Sequence, residues 1–328
     1  MTSNFCRTLL WEIDARLAPT VRRVAPPPPE LLIFTFHSLF ESAREIERGL
    51  LDPQQAITIR MFHDFVANFR ARGYCFVSPE QLAAGLDPSR HHAMITFDDG
   101  YANNLRALPV LEEFAAPAVF CVSANHVCTG KPFWWDVLYR EARQRNWPGE
   151  KLEQMRAALK RLRTEDAEAR MAAELGSAAF RIVCNLDRPF TPGELREFAC
   201  HPLVHIGNHT WDHAILSNYS PSEVREQIQR AQQALGELAG KVPRVIAYPN
   251  GNISAEIEKA ARESGLVFGM TVRPGKNAIP QAHRTMPSLR LRRYTLRGDR
   301  DMATQCSITR SAVSLQAAFS AIRSAVTA

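Results

Sequence analysis

The sequence predicts a distorted parallel (β/α) barrel carrying one helical insertion. Three observations support this reading: apolar runs of strand length recur along the chain, segments of helical period lie between them, and residues 130–188 break the rhythm. Strands buried on both faces read as continuous apolar runs, and their alternation with helices marks a parallel sheet. So many units in 328 residues suit a barrel.

The expected strands are 31–36, 75–77, 93–97, 118–122, 204–207 and 245–248, with weaker runs at 267–271 and 289–291. Phe62, Phe65, Val66 and Phe69 form one face of a helix that begins after Thr58 and ends at Gly73. Ser220, Pro221 and Glu223 supply an N-cap, a first-position proline and a capping-box glutamate for a helix running toward Leu238. A third helix follows Ser254 and stops at Gly265. Residues 130–188 begin with the aromatic cluster Phe133, Trp134 and Trp135 and continue as a charged helical stretch over 151–175. Pro26 to Pro29 separate a short N-terminal helical segment from the rest. The expected organisation is thus an N-terminal helical appendage and Pro-rich linker (1–30), a main domain (31–300) and a C-terminal helical tail (301–328).

Composition narrows the function classes. A hydrophobic content of 45% in a chain this long can bury a large core. The apolar patch from Cys6 to Trp11 is broken by Glu12, Asp14 and Arg16 before it reaches signal-peptide length, and no run is long enough to cross a bilayer. A cytoplasmic location is expected, with a peripheral contact of the first helix at a membrane surface left open. Cys6, Cys75, Cys121, Cys128, Cys184, Cys200 and Cys306 are odd in number and form no Cys-x-x-Cys pair, which argues against a disulfide framework or a thiolate zinc site. A net charge of +6 spread without interleaved aromatics gives no reason to expect a nucleic-acid partner. Arg284, Arg290, Arg292, Arg293, Arg297 and Arg300 form a local basic cluster, either a solvated face or a contact for an anionic substrate or lipid-linked phosphate.

Three segments carry chemistry. The strand 93–97 ends in Asp98, Asp99 and Gly100, and adjacent carboxylates raise one another's pKa unless a cation or proton is shared. Barrel enzymes place catalytic groups at such strand ends; an ordinary helix N-cap at Asp99 is the alternative. His209 and His213 follow the strand 204–207, four residues apart, a spacing that puts both imidazoles on one face of a helical turn. Two imidazoles and a carboxylate hold a divalent metal with positions left open, as hydrolysis requires. Pro249, Asn250 and Gly251 form a turn at a third strand end, where a backbone N–H can meet a developing oxyanion.

Together these segments resemble the polysaccharide deacetylase family with the NodB homology domain, whose members remove N- or O-acetyl groups from sugars. The family's Thr-Phe-Asp-Asp-Gly motif stands at 96–100 and its His-Ser/Thr-x-x-His motif at 209–213, in the family's order; Phe36-His37 fits its aromatic-His pair. The resemblance covers roughly residues 31–293 and implies the NodB type of barrel. It implies Asp98 as general base and Asp99, His209 and His213 as ligands of a divalent metal, zinc by default, with cobalt, nickel or manganese compatible. It further implies an oxyanion held by the metal and the Asn250 backbone N–H.

Two departures stand out. Ala247 occupies the place of the arginine that tethers the base in many members, leaving Arg292 or Arg293 as the candidate substitute. The late apolar-His motif that supplies the general acid is not recognisable in 289–296, so His37 is the preferred acid, with a histidine satisfied by neighbouring backbone as the alternative. Tyr101, Trp134, Trp135 and Trp211 either stack on sugar faces or pack in the interior. The expected activity is removal of N-acetyl groups from an N-acetylated carbohydrate in a polysaccharide, glycolipid or glycoconjugate. The alternatives are a deformylase or amidase on another amide and a sugar-binding member that has lost turnover.

Overall fold

A computed structural model describes residues 2–25, 27–279, 288–312 and 315, with the side chains of 2–8 and 22 outside the description. Arg284, His283 and most of the expected C-terminal tail lie outside the described residues. The strands are β1 (Glu30–Phe36), β2 (Cys75–Phe76), β3 (His92–Phe97), β4 (Ala118–Val122), β5 (Val204–Asn208), β6 (Val245–Ala247), β7 (Phe268–Met270), β8 (Asn277–Ala278), β9 (Ser288–Leu291) and β10 (Tyr294–Thr295). Eight of them run in the order β10-β1-β3-β4-β5-β6-β7-β9, every neighbouring pair parallel. The short β2 adds to β3, and β8 lies antiparallel on β1. The sheet's two end strands, β9 and β10, are joined by only Arg292 and Arg293, so the sheet curls into a nearly closed barrel. The predicted fold class is confirmed; β8 and β10 are too short to show a periodic signal.

Alternation along the strands sorts the side chains. Leu32, Phe34 and Phe36 of β1, with Ala93, Ile95 and Phe97 of β3, point outward into a helix-covered layer. There the helix Ile59–Arg70, capped by the Thr58 hydroxyl, sets Phe62, Phe65 and Phe69 against Phe34 and Phe36 at ring separations of 4.8 to 5.2 Å. Ile33, Met94, Val119, Cys121, Ala247, Met270 and Leu291 fill the barrel interior. Asp98 lies two residues beyond Thr96 and four beyond Met94, so this alternation aims it inward at the carboxyl end.

The insertion between β4 and β5 comprises helices Trp134–Gln144, Gly149–Leu159 and Thr164–Leu175 around their own core of Phe133, Val137, Leu138, Met155, Leu159 and Met171. A buried ion pair, Arg140 to Asp187 at 2.6 Å, ties its first helix to the segment that returns to the barrel. The predicted helices after Ser220 and Ser254 are present as Pro221–Ala239 and Ala255–Glu263. The N-terminal segment is longer than expected: a helix over Thr2–Val24 docks against helix Met302–Thr309, with Arg300 stacked over Trp11. Among the described residues no helix is long and apolar enough to cross a membrane, and the six cysteines whose side chains are described are free.

Candidate active site

At the carboxyl end of the barrel the two adjacent acids turn to different partners. Asp98 continues the strand's inward alternation. Asp99 has a left-handed backbone (φ 77°) that breaks it and swings its carboxylate toward β5. Gly100 also has positive φ (93°), and a Cβ there would meet Val122 at 2.8 Å, so the Asp-Asp-Gly turn needs its glycine. Asp99 does not cap a helix; the element that follows is a 3₁₀ turn, Ala102–Ala107, with no side-chain cap.

Asp99 Oδ1 lies 3.4 Å from both His209 Nε2 and His213 Nε2, and one ligand atom from each residue falls within 4.8 Å of the other two. A separation of 3.4 Å is long for a hydrogen bond. Two of the three edges thus match the separation of ligands around a tetrahedral ion when each bond is roughly 2.0–2.1 Å. His209 Nδ1 donates to the Ala247 carbonyl at 2.7 Å, which fixes the tautomer and leaves the Nε2 lone pair free to ligate. The donor set therefore fits a divalent cation. Burial pushes the Asp99 carboxyl up, but the two imidazoles outweigh it and hold the group well below the usual carboxylate range. Burial lowers both imidazoles; at His213 Asp99 does not fully offset it, whereas at His209 Asp98 and Asp99 together outweigh it and leave the group raised.

The histidines do not lie on a helical turn, contrary to the expectation from their spacing. Thr210 and His213 are left-handed (φ 64° and 50°), and the loop is folded by side chains: Thr210 N–H donates to Asn208 Oδ1 and Ala214 N–H to Thr210 Oγ1, each at 2.7 Å. Trp135 of the insertion rests against the His213 ring, 4.4 Å between centroids. Its indole N–H donates to the Tyr101 hydroxyl, which donates to Asp136. Tyr101, Trp134 and Trp135 are thus buried packing rather than sugar platforms, and Trp211 is half-buried under Arg230.

Asp98 is clamped by Arg293, whose Nη1 and Nη2 donate to Oδ1 and Oδ2 at 2.8 and 2.7 Å. The same guanidinium donates to Thr96 Oγ1 and to the Thr271 carbonyl, and it is fully buried. Burial pushes the Asp98 carboxyl up; Arg293, with His209 helping, outweighs that and leaves it lowered and ionised. Of the two arginines considered from the sequence, Arg293 therefore takes the place of the motif arginine that Ala247 replaces. The remaining cluster is no single basic face: Arg290 pairs with Glu258, Arg297 with Asp299, and Arg300 covers Trp11.

His37 follows Phe36, which is in register with Phe97, so it stands beside Asp98. Gln55 Nε2 donates to the Thr35 and Leu296 carbonyls, which fixes the amide and presents its Oε1 to His37 Nδ1 at 2.7 Å. His37 Nδ1 is then the donor, and Nε2 is left to exchange a proton. Gln54 Nε2 reaches Asp99 Oδ2 at 3.4 Å. Neither glutamine carried a sequence signal, because both sit in an irregular loop where Gln54 and Ala56 are left-handed. Asn250 is also left-handed (φ 59°), in the turn that follows the strand whose carbonyl holds His209.

The family profile for polysaccharide deacetylase matches residues 85–269, more than half of the chain. The chain belongs to the polysaccharide deacetylase family. The motifs at 96–100 and 209–213 lie inside the matched segment of this family member, while His37 and Arg293 lie outside it. YxkH of Bacillus subtilis, a protein assigned as a polysaccharide deacetylase, is 22% identical over 255 residues, covering 76% of this chain and 66% of its own length, just under two thirds. A peptidoglycan-N-acetylglucosamine deacetylase of Bacillus cereus is 36% identical over 63 residues, 19% of this chain and 23% of that protein. Among solved structures, the fold resembles the Streptococcus pyogenes deacetylase PplD in complex with acetate (TM-score 0.56, 18% identity, 86% of this chain and 99% of that one). It also resembles a de-N-acetylase from Aggregatibacter actinomycetemcomitans (TM-score 0.58, 16% identity, 85% and 99%).

Proposed function

We propose that this family member is a metal-dependent hydrolase that removes the N-acetyl group from a sugar in a polysaccharide, glycolipid or glycoconjugate. The observation that supports it most is the convergence of Asp99, His209 and His213 beside a second carboxylate, Asp98, that has its own clamp. Zinc suits two imidazoles and a carboxylate, and cobalt, nickel or manganese are compatible. Bound there, such an ion would supply Lewis acidity and lower the pKa of a water nearby.

The chain's own residues supply the rest. Asp98, ionised and fixed in plane by Arg293, keeps unshared lone pairs on both oxygens and accepts the proton of the attacking water. His37, its ring set by Gln55, returns a proton from Nε2 to the leaving amine. The Asn250 backbone N–H is assigned to the oxyanion. A binding-only member of the fold was motivated by the altered third motif and the unrecognised late histidine; Arg293 on Asp98 answers the first, and His37 is assigned in place of the second.

Acetate release from N-acetylglucosamine oligosaccharides is the test. It should vanish on chelation and fall roughly 10²–10⁴-fold in Asp98→Asn, the range for loss of a general base. Full turnover in that variant would overturn the assignment of the base; release of formate from formyl amides without acetate release would favour the deformylase reading.

A further inference from the structure

A cleft of about 660 Å³ opens beside the Asn250 turn, within the roughly 300–1,000 Å³ range of small-molecule sites. Leu216, Val224, Ile253, Ile257 and Val272 give it an apolar floor. Its rim is polar and shares Asn250 and Gly251 with the turn assigned to the oxyanion. Asn250 Nδ2 donates to Asn252 Oδ1, and Asn252 Nδ2 donates to Ser217 Oγ, at 2.9 and 2.8 Å. An apolar floor under a ladder of amides and a hydroxyl suits a sugar ring, which offers C–H faces and a hydroxyl edge.

Two cations that make no ion pair among the described residues lie at this rim, Arg273 in its lining and Lys160 through its contact with Asn250. Lys160, from the end of the second insertion helix, is placed there by its own backbone: its carbonyl accepts from Asn218 Nδ2 at 3.0 Å. Its ammonium reaches Asn250 Oδ1 at 3.4 Å and makes no ion pair among the described residues. Burial, then the neighbouring Arg156, pushes its pKa down against the weaker pull of Asp52, Glu153 and Asp99. Arg273 lines the cleft next to Val272, and its guanidinium has no hydrogen-bond or ion-pair partner among the described residues. By contrast Arg156, Arg163 and Lys131, on the same insertion, are all paired with carboxylates. Glu256 also lines the cleft, but it is solvated and bound to Ser254 at the start of its own helix.

Resting on the deacetylase reading for its catalytic consequence, we infer that this cleft receives the sugar adjoining the one deacetylated, and that Lys160 and Arg273 select a chain bearing an acidic group at that position. The shared ligand chemistry is an anionic oxygen group, either a uronate carboxylate or a phosphodiester. The insertion thereby becomes the specificity element of the site.

The test uses the full chain and three probes of equal length: an N-acetylglucosamine oligosaccharide, an alternating glucuronate–N-acetylglucosamine oligosaccharide, and a phosphodiester-linked N-acetylglucosamine oligomer. Equilibrium binding is read first, by calorimetry, and acetate release second. Wild type should bind at least one acidic probe about tenfold more tightly than the neutral one, the order expected for a charge-assisted hydrogen bond, and which acidic probe wins identifies the anion. Lys160→Gln and Arg273→Gln should each erase most of that preference, and added salt should weaken acidic-probe binding. Where acetate is released, the same variants should raise KM for the acidic substrate far more than they lower kcat. Equal binding of acidic and neutral probes by wild type, or an acidic preference that survives both substitutions, would overturn the subsite. Binding preference without acetate release from any probe would instead sustain the subsite and sink the deacetylase reading.

Discussion

The two walls of the candidate site are built in opposite ways. The wall holding Asp99, His209 and His213 consists of short motifs at the ends of β3 and β5, each folded by its own loop: a glycine-dependent turn in one case, the Asn208 and Thr210 side chains in the other. The wall holding Asp98 in place depends on barrel closure, because Arg293 lies in the two-residue link between the end strands and His37 immediately follows the strand that β10 pairs with. A ligand set can thus be specified locally, whereas the orientation of the base rests on contacts spanning 195 positions of chain.

Four measurements would break or sharpen this contrast. On the local wall, His209→Ala should abolish both metal content, read by elemental analysis, and turnover, while the barrel, held by strands remote from the loop, still unfolds cooperatively. On the closure wall, Arg293→Ala leaves the Asp98 carboxylate buried without its partner, so chemical denaturation should show a loss of about 3–5 kcal/mol, the cost of breaking a buried pair from one side. If that variant were as stable as wild type, closure would not depend on the clamp.

A smaller effect is expected at His126, which is fully buried against Phe133 with neither ring nitrogen hydrogen-bonded among the described residues. Burial, then Lys131, holds its pKa down to about 3. The unfolded chain takes up this proton below about pH 6.5 and the folded chain does not until about pH 3. Stability therefore falls as pH drops through that window. His126→Phe should remove that part of the slope and raise stability by about 1–3 kcal/mol at neutral pH, the cost of leaving a buried polar group unsatisfied; a destabilised variant would point to a buried water on the ring. Least affected is the Arg188–Glu194 pair after the insertion. Arg188 holds the Glu194 carboxyl down to about 2 from 4.5, so its contribution is present above pH 4.5 and lost as pH falls toward 2. Both groups are partly exposed, and Glu194→Gln should cost no more than about 1 kcal/mol at pH 7.

Much of the fold was legible in the sequence because its causes are local. The runs at 31–36, 93–97 and 118–122 are buried on both faces, so they stand out without alternation, and Thr58, Ser220 and Ser254 each mark a helix start by cap chemistry. β8 and β10, two residues each, exist only because β1 offers them an edge. The arginine cluster misled for a related reason: Arg290, Arg293 and Arg297, close in sequence, pair with Glu258, Asp98 and Asp299 once the chain turns at Arg292 and Arg293. Spacing also misled at His209 and His213, where a four-residue interval suggested a helical turn and the loop converges them by positive φ instead.

The sequence by itself determined the order of the longer strands and of the capped helices, the family, and which residue types stand at the strand ends, since periodicity, capping and motifs are properties of neighbours along the chain. Only the tertiary structure decided that Arg293 rather than Arg292 reaches Asp98, that Gln55 sets the His37 ring, and that Lys160 of the insertion stands beside Asn250. Those pairings join residues far apart in sequence, and their partners are chosen by how the barrel closes and where the insertion docks, which no local pattern encodes.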